Sequence, residues 1–169
     1  MLRVAGIVAL FVLAACAQTT AKTVVSPSPV IAQGTWTQNL TFKGEVMGQM
    51  SGIVADLGDQ KSECTGARTH NGERWSNSFY GTVDSSGQAW GVVFTIDNFR
   101  GPGTYQDAAV KVQLHSPDNT KVWQSGPADK VTFTVDRAQQ SGRVDASTTN
   151  ATTGASAAEQ ITGTWNCRG

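Results

Sequence analysis

Residues 89–99 read AWGVVFTIDNF, and their alternation decides the fold. Trp90, Val92, Phe94 and Ile96 recur at every second position. A period of two belongs to a strand, because successive side chains point to opposite faces; a helix would instead gather positions three and four apart. β-Branched and aromatic side chains fill the stretch, and these suit a pleated, half-buried surface. The segment is expected to be a strand with one face in the core.

The same rhythm continues on both sides. Upstream, WTQNLTF (residues 36–42) places Trp36, Leu40 and Phe42 on one face, VMGQMSGIVA (46–55) is a glycine-spaced apolar run, and NSFYGTV (77–83) leads into the turn DSSGQ. Downstream comes Gly101-Pro102-Gly103, whose central Pro-Gly suits a type II turn. VKVQLH, KVWQS and VTFTV follow, separated by SPDNT and GPADK; Val131, Phe133 and Val135 are in register. GRVDAST and QITGTWNC close the chain, the latter with Ile161, Gly163, Trp165 and Cys167 on one face. TYQDAAVK is the best helical candidate, but it is short and strand pairing is expected to override it. TTNATTGASAAEQ reads as a long hairpin loop. About nine short strands with turns about every 8–12 residues predict an all-β fold, a single antiparallel β-sandwich, with a small β-barrel as the alternative.

Composition agrees. The 169 residues carry 18 glycines, 13 basic and 13 acidic side chains, and a net charge of zero. That length suits one domain with a real core. The scattered, balanced charge offers no basic patch, so nucleic acid is not an expected partner.

The first residues differ in kind. Met1-Leu2-Arg3 is a short basic start, and Val4 to Val12 is apolar but too short for the ~20 residues of a bilayer span. This is the pattern of a signal peptide over residues 1–15. Leu13-Ala14-Ala15-Cys16 follows. It resembles the lipobox of bacterial lipoproteins, which implies a diacylglyceryl thioether on Cys16 and cleavage just before it. One acyl chain binds a membrane marginally, whereas two or three hold it stably. By resemblance to the enterobacterial lipoprotein sorting rule, Ala17 rather than Asp favours the outer membrane where the host has one. The alternative is an ordinary signal peptide with an incidental cysteine.

Residues 16–35 then form the lipidated cysteine and a disordered tether, too polar and too proline-broken to pack. Residues 17–35 span roughly 25 Å as a coil and about 60 Å extended. Thr23 to Val25 and Val30 to Ile31 have the residue types of a first strand instead. Residues 36–169 are expected to be the folded domain.

Cys64 and Cys167 remain, and an exported protein with one such pair is expected to form a disulfide. Closing a loop of about 100 residues is worth at most about 4.7 kcal/mol in the chain-entropy picture. The alternative is two free buried thiols.

No catalytic constellation emerges. There is no Gly-x-Ser-x-Gly elbow, no phosphate loop and no Cys-x-x-Cys pair. His70 and His115 sit in separate turn-like segments, while Asp84, Asp97, Asp136 and Asp145 read as turn caps. No metal, cofactor or enzyme activity is expected. Among the five tryptophans, Trp90 and Trp165 alternate with apolar neighbours and are expected in the core. Trp75, flanked by polar residues, and Trp123, beside a turn, are candidates for a binding surface, as are Phe99, Arg100 and Tyr105 around the rigid turn FRGPGTYQD. The opposing reading places both tryptophans in the core or its end cap.

The chain as a whole is similar in architecture to the mycobacterial 19-kDa lipoprotein antigen family. The shared features are the lipobox, a Thr/Ser/Pro/Ala-rich tether, a glycine-rich β-domain and a cysteine at the extreme C-terminus within ITGTWNC. The expected role is a lipid-anchored module of the bacterial cell envelope that displays a non-catalytic binding domain to a protein or glycolipid partner. A carrier of a hydrophobic ligand or glycolipid is the second reading. The runs GEVMGQMSG and GPG would leave it room, though glycines also serve strand crowding. An envelope hydrolase is the third.

Overall fold

Alternating inward apolar and outward polar side chains build eleven strands in the computed structural model, which describes residues 37–53, 62–64, 69–83, 87–152 and 158–167. They are β1 (Thr37–Lys43), β2 (Gly48–Ile53), β3 (Glu63–Cys64), β4 (Trp75–Thr82), β5 (Ala89–Ile96), β6 (Gly103–Gln106), β7 (Lys111–His115), β8 (Val122–Gln124), β9 (Val131–Val135), β10 (Ser141–Asn150) and β11 (Ala158–Asn166). Among the described residues there is no α-helix. Every pairing is antiparallel, in the order β2-β1-β11-β10-β8-β7-β5-β4-β3, with β9 on β10 and β6 on β9. The sheet curls into a half-barrel.

β10 is the branch point. Its Gly142–Ala146 half pairs with β9, and its far end, Thr149 and Asn150, pairs with β8. One strand thus belongs to two flanks, which fold over each other. Aromatic contacts show where they meet. Trp75 of β4 lies 5.3 Å from Phe133 of β9 and 5.4 Å from Trp165 of β11, centroid to centroid. Phe94 of β5 lies 5.0 Å from Phe133. Each such pair adds about 0.5–1.5 kcal/mol beyond the area it buries. Leu40, Phe42, Met50, Phe79, Val92, Val112, Leu114 and Ile161 fill the rest of the interior.

The two ends of the sheet path also approach. Gln38 of β1 donates from Nε2 to the Tyr80 carbonyl of β4 at 3.5 Å. A side chain at Gly48 of β2 would strike the Val83 carbonyl. Gly44, where a Cβ would strike the Ala158 carbonyl, and Gly48 therefore serve strand crowding rather than room for a ligand. Cys64 of β3 is disulfide-bonded to Cys167 after β11, with Cα atoms 6.3 Å apart. The bridge ties the last strand of one flank to the middle of the other.

Two local expectations change and a third holds. β3 and β6 exist although their two and four residues show little alternation; pairing with β4 and β9 supplies what local pattern lacks. In TYQDAAVK strand pairing does override the helix: the segment is the end of β6, a 3-10 turn (Asp107–Ala109) and the start of β7. Both ends of TTNATTGASAAEQ are strand rather than loop: β10 runs to Asn150 and β11 begins at Ala158, Thr148 and Glu159 facing each other in register. Its residues 153–157 lie outside the described residues.

Candidate functional site

The aromatic residues singled out as a binding surface are mostly interior. Trp75 and Phe99 are 0% exposed and Trp123 is 1% exposed. Trp75 opens β4, whose inward positions are Trp75, Asn77 and Phe79. Its polar neighbours Arg74 and Ser76 simply face the other way. The inward Asn77 disguises the alternation; its Nδ2 donates to Cys167 Sγ at 3.8 Å beside the disulfide. Trp123 occupies the inward place between Val122 and Gln124. Phe99 is stacked between Trp75 at 6.2 Å and Tyr105 at 5.9 Å.

Arg100 is exposed and Tyr105 half-buried. The Tyr105 hydroxyl accepts from the Arg100 backbone N–H at 2.8 Å and donates to the Gly101 carbonyl at 2.7 Å. It holds the Gly-Pro-Gly bend. In that bend Gly103 has φ 150°, away from the type II value of about 80°, and Gly101 takes the left-handed place with φ 89°. Beside it lies a groove of about 310 Å³ lined by Asp97, Arg100, Tyr105 and Lys111 among others. The neighbouring ion pair of Arg74 and Asp97 at 3.6 Å is exposed on both sides and contributes little. Cys16 and Trp36 lie outside the described residues.

A larger feature lies on the outer face of β2, β1, β11, β10, β9 and β6. Registers there align polar side chains in ranks across the strands. One rank runs Ser51, Asn39, Thr164, Arg143, Thr134, Thr104. The next runs Gln49, Thr41, Thr162, Asp145, Thr132, Gln106. Two adjoining grooves open on this face. One, of about 490 Å³, is lined by Thr37, Asn39, Asp136, Ser141 and Asn166; the other, of about 390 Å³, by Thr132, Asp145 and Thr162. Thr134, Arg143 and Thr164 line both.

The backbone beneath is tightly drawn. A Cβ at Gly142 would fall on the Thr134 carbonyl, and one at Gly163, with φ 148°, on the Asn39 carbonyl. Four strands therefore meet closely at these two glycines. Several are preset: Gln49 Nε2 donates to Asn39 Oδ1 at 2.5 Å, and the Thr134 hydroxyl accepts from the Arg143 backbone N–H at 2.9 Å. Asp136 closes the β9–β10 turn, accepting from the N–H groups of Gln140 at 2.8 Å and Ser141 at 3.1 Å. Partial burial opposes its charge, but these donors win and hold its pKa below the usual carboxylate value. Among the described residues the Arg143 guanidinium joins no ion pair.

The individual side chains were legible as the polar half of each alternation, in VTFTV and ITGTW for example. Their union was not, because no local pattern says that β11 lies between β1 and β10. The histidines fall elsewhere. His70 lies 3.5 Å from Glu73 on an exposed turn, and His115 is on β7, where burial lowers its pKa. Among the described residues no group of three or more His, Cys, Asp or Glu side chains is placed to hold a metal ion. Compared with known protein families, with curated protein sequences and with solved structures, the chain matches none.

Proposed function

We propose that this protein is a lipoprotein of the bacterial cell envelope, anchored through acylated Cys16, that holds a non-catalytic binding domain away from the membrane on its tether. The outer polar face of β1, β11, β10 and β9 is the binding surface. The observation that carries this reading is the contrast between outside and inside. Two grooves of about 490 and 390 Å³ share one wall on an open polar face, whereas the interior is occupied by aromatic rings in mutual contact. A carrier of a hydrophobic ligand needs an apolar cavity, and the filled interior weighs against it. The lipobox-like Leu13-Ala14-Ala15-Cys16 supports the anchor, since two acyl chains suffice for stable attachment.

Mass spectrometry of the protein extracted from its own membranes tests the anchor. The expected mass begins at Cys16 and carries acyl groups, and Cys16→Ser is expected to leave the membrane fraction. An unacylated chain that still sediments with membranes would remove the lipid anchor from the reading. Extra native mass lost on denaturation would restore the carrier.

A further inference from the structure

We infer that the outer face of β9, β10, β11 and β1 binds a neutral glycan, a linear chain of uncharged hexose or N-acetylhexosamine rings laid across the strands. The inference rests on the reading of that face as the binding surface.

Three observations lead there. The first is chemical. The two ranks consist of hydroxyl and amide side chains, with Arg143 and Asp145 as the charged members. Hydroxyls and primary amides both donate and accept, as does every ring hydroxyl of a sugar. The second is charge. Arg143 shares the grooves with Asp136 and Asp145, so the face offers no excess of positive charge to draw an anionic polymer. Neither rank carries the large apolar side chains that an amphipathic helix or a lipid surface would need. The third is spacing. Neighbouring strands lie about 4.8 Å apart, so each rank presents polar groups at a repeat close to the advance of one sugar ring in an extended chain. The two grooves run side by side across β9, β10 and β11, one on each side of the shared wall of Thr134, Arg143 and Thr164. Arg143, exposed and outside any ion pair among the described residues, sits in that wall. Its planar fork can donate to two adjacent hydroxyls of one ring.

The test uses the full acylated chain in a zwitterionic detergent, applied to an array of linear neutral hexose and N-acetylhexosamine oligosaccharides with uronic-acid and sulfated chains alongside. Binding to at least one neutral chain is expected. Arg143→Ala and Thr164→Ala, both exposed outer-face positions, are expected to weaken it by about tenfold each, as loss of a charge-assisted or multiple hydrogen bond does. Lys111→Ala, on the other flank, is expected to leave it unchanged. Near-ultraviolet circular dichroism establishes that each variant is folded. Absence of binding to every neutral chain, equal binding by folded variants, or binding confined to the anionic chains and abolished by salt would each overturn the inference. Partitioning of the same preparation into membranes reports separately on the anchor. If Arg143→Ala and Thr164→Ala instead abolish capture of a protein, the face remains the binding surface and the glycan is wrong.

Discussion

Glu159 is fully buried at the start of β11, where its Oε2 accepts from the Val46 N–H at 2.9 Å. Burial raises its pKa above the usual value, and the nearby Glu45 carboxylate pushes the same way. The folded pKa exceeds the unfolded one, so its contribution to stability is fully present below the unfolded value of about 4.3. It is lost as pH rises through the raised folded value. Glu159→Gln keeps an acceptor for Val46 and removes the charge. Urea midpoints taken from mildly acidic to neutral pH are expected to fall more steeply for the wild type than for this variant; parallel curves would refute the assignment. Gly163 is a second decisive residue. Its φ of 148° and the adjacent Asn39 carbonyl leave no place for a methyl group, so Gly163→Ala is expected to cost about 1–3 kcal/mol or more, read as a lower denaturant midpoint at unchanged slope. Phe133, 0% exposed and in contact with Trp75, Phe94 and Trp165, is expected to cost about 3–5 kcal/mol on truncation to alanine. Trp75 is the instructive case for reading sequence. Its neighbours suggested a surface, yet side-chain direction depends on parity along the strand and not on who stands next in the chain.

Strands with several alternating residues were legible: β5, β7, β9 and β11 follow from their period alone. β3 and β6 were not, since two or four residues cannot establish a period and their pairing partners lie 13 or more positions away along the chain. The β7–β8 connection was legible as a turn from Ser-Pro-Asp-Asn-Thr, and its chemistry follows from Asp118. Ser116 Oγ donates to Asp118 Oδ1 at 2.7 Å, and Thr120 donates to it from both its N–H at 3.1 Å and its hydroxyl at 2.9 Å. These donors lower its pKa to about 2. Here the folded pKa lies below the unfolded one, so the contribution is present above about pH 4 and is lost as pH falls through about 2. Asp118→Asn is expected to be less stable than wild type at neutral pH and to converge with it in strong acid; a difference that stays constant with pH would exclude this role for the carboxylate.

At the scale of the molecule the disulfide joins residues 103 positions apart. Reduction is expected to cost about 2–5 kcal/mol, seen as a lower urea midpoint with reductant than without; equal midpoints would mean that the bridge adds nothing to the fold. The sequence by itself determined that the domain is all-β and antiparallel, which turns separate its longer strands, and that residues 36–169 hold two cysteines, Cys64 and Cys167. These follow from local physics: the period of two, the backbone demands of Gly, Pro and Asp, and the count of thiols. Only the tertiary structure decided that β10 splits its pairing between β9 and β8, that Trp75, Phe99 and Trp123 lie inside, and that outward side chains from β1, β11, β10 and β9 form one polar face. Those depend on which strands become neighbours. Neighbourhood is set by the burial of all the strands' apolar faces in one common core, a property of the whole chain that no single stretch encodes.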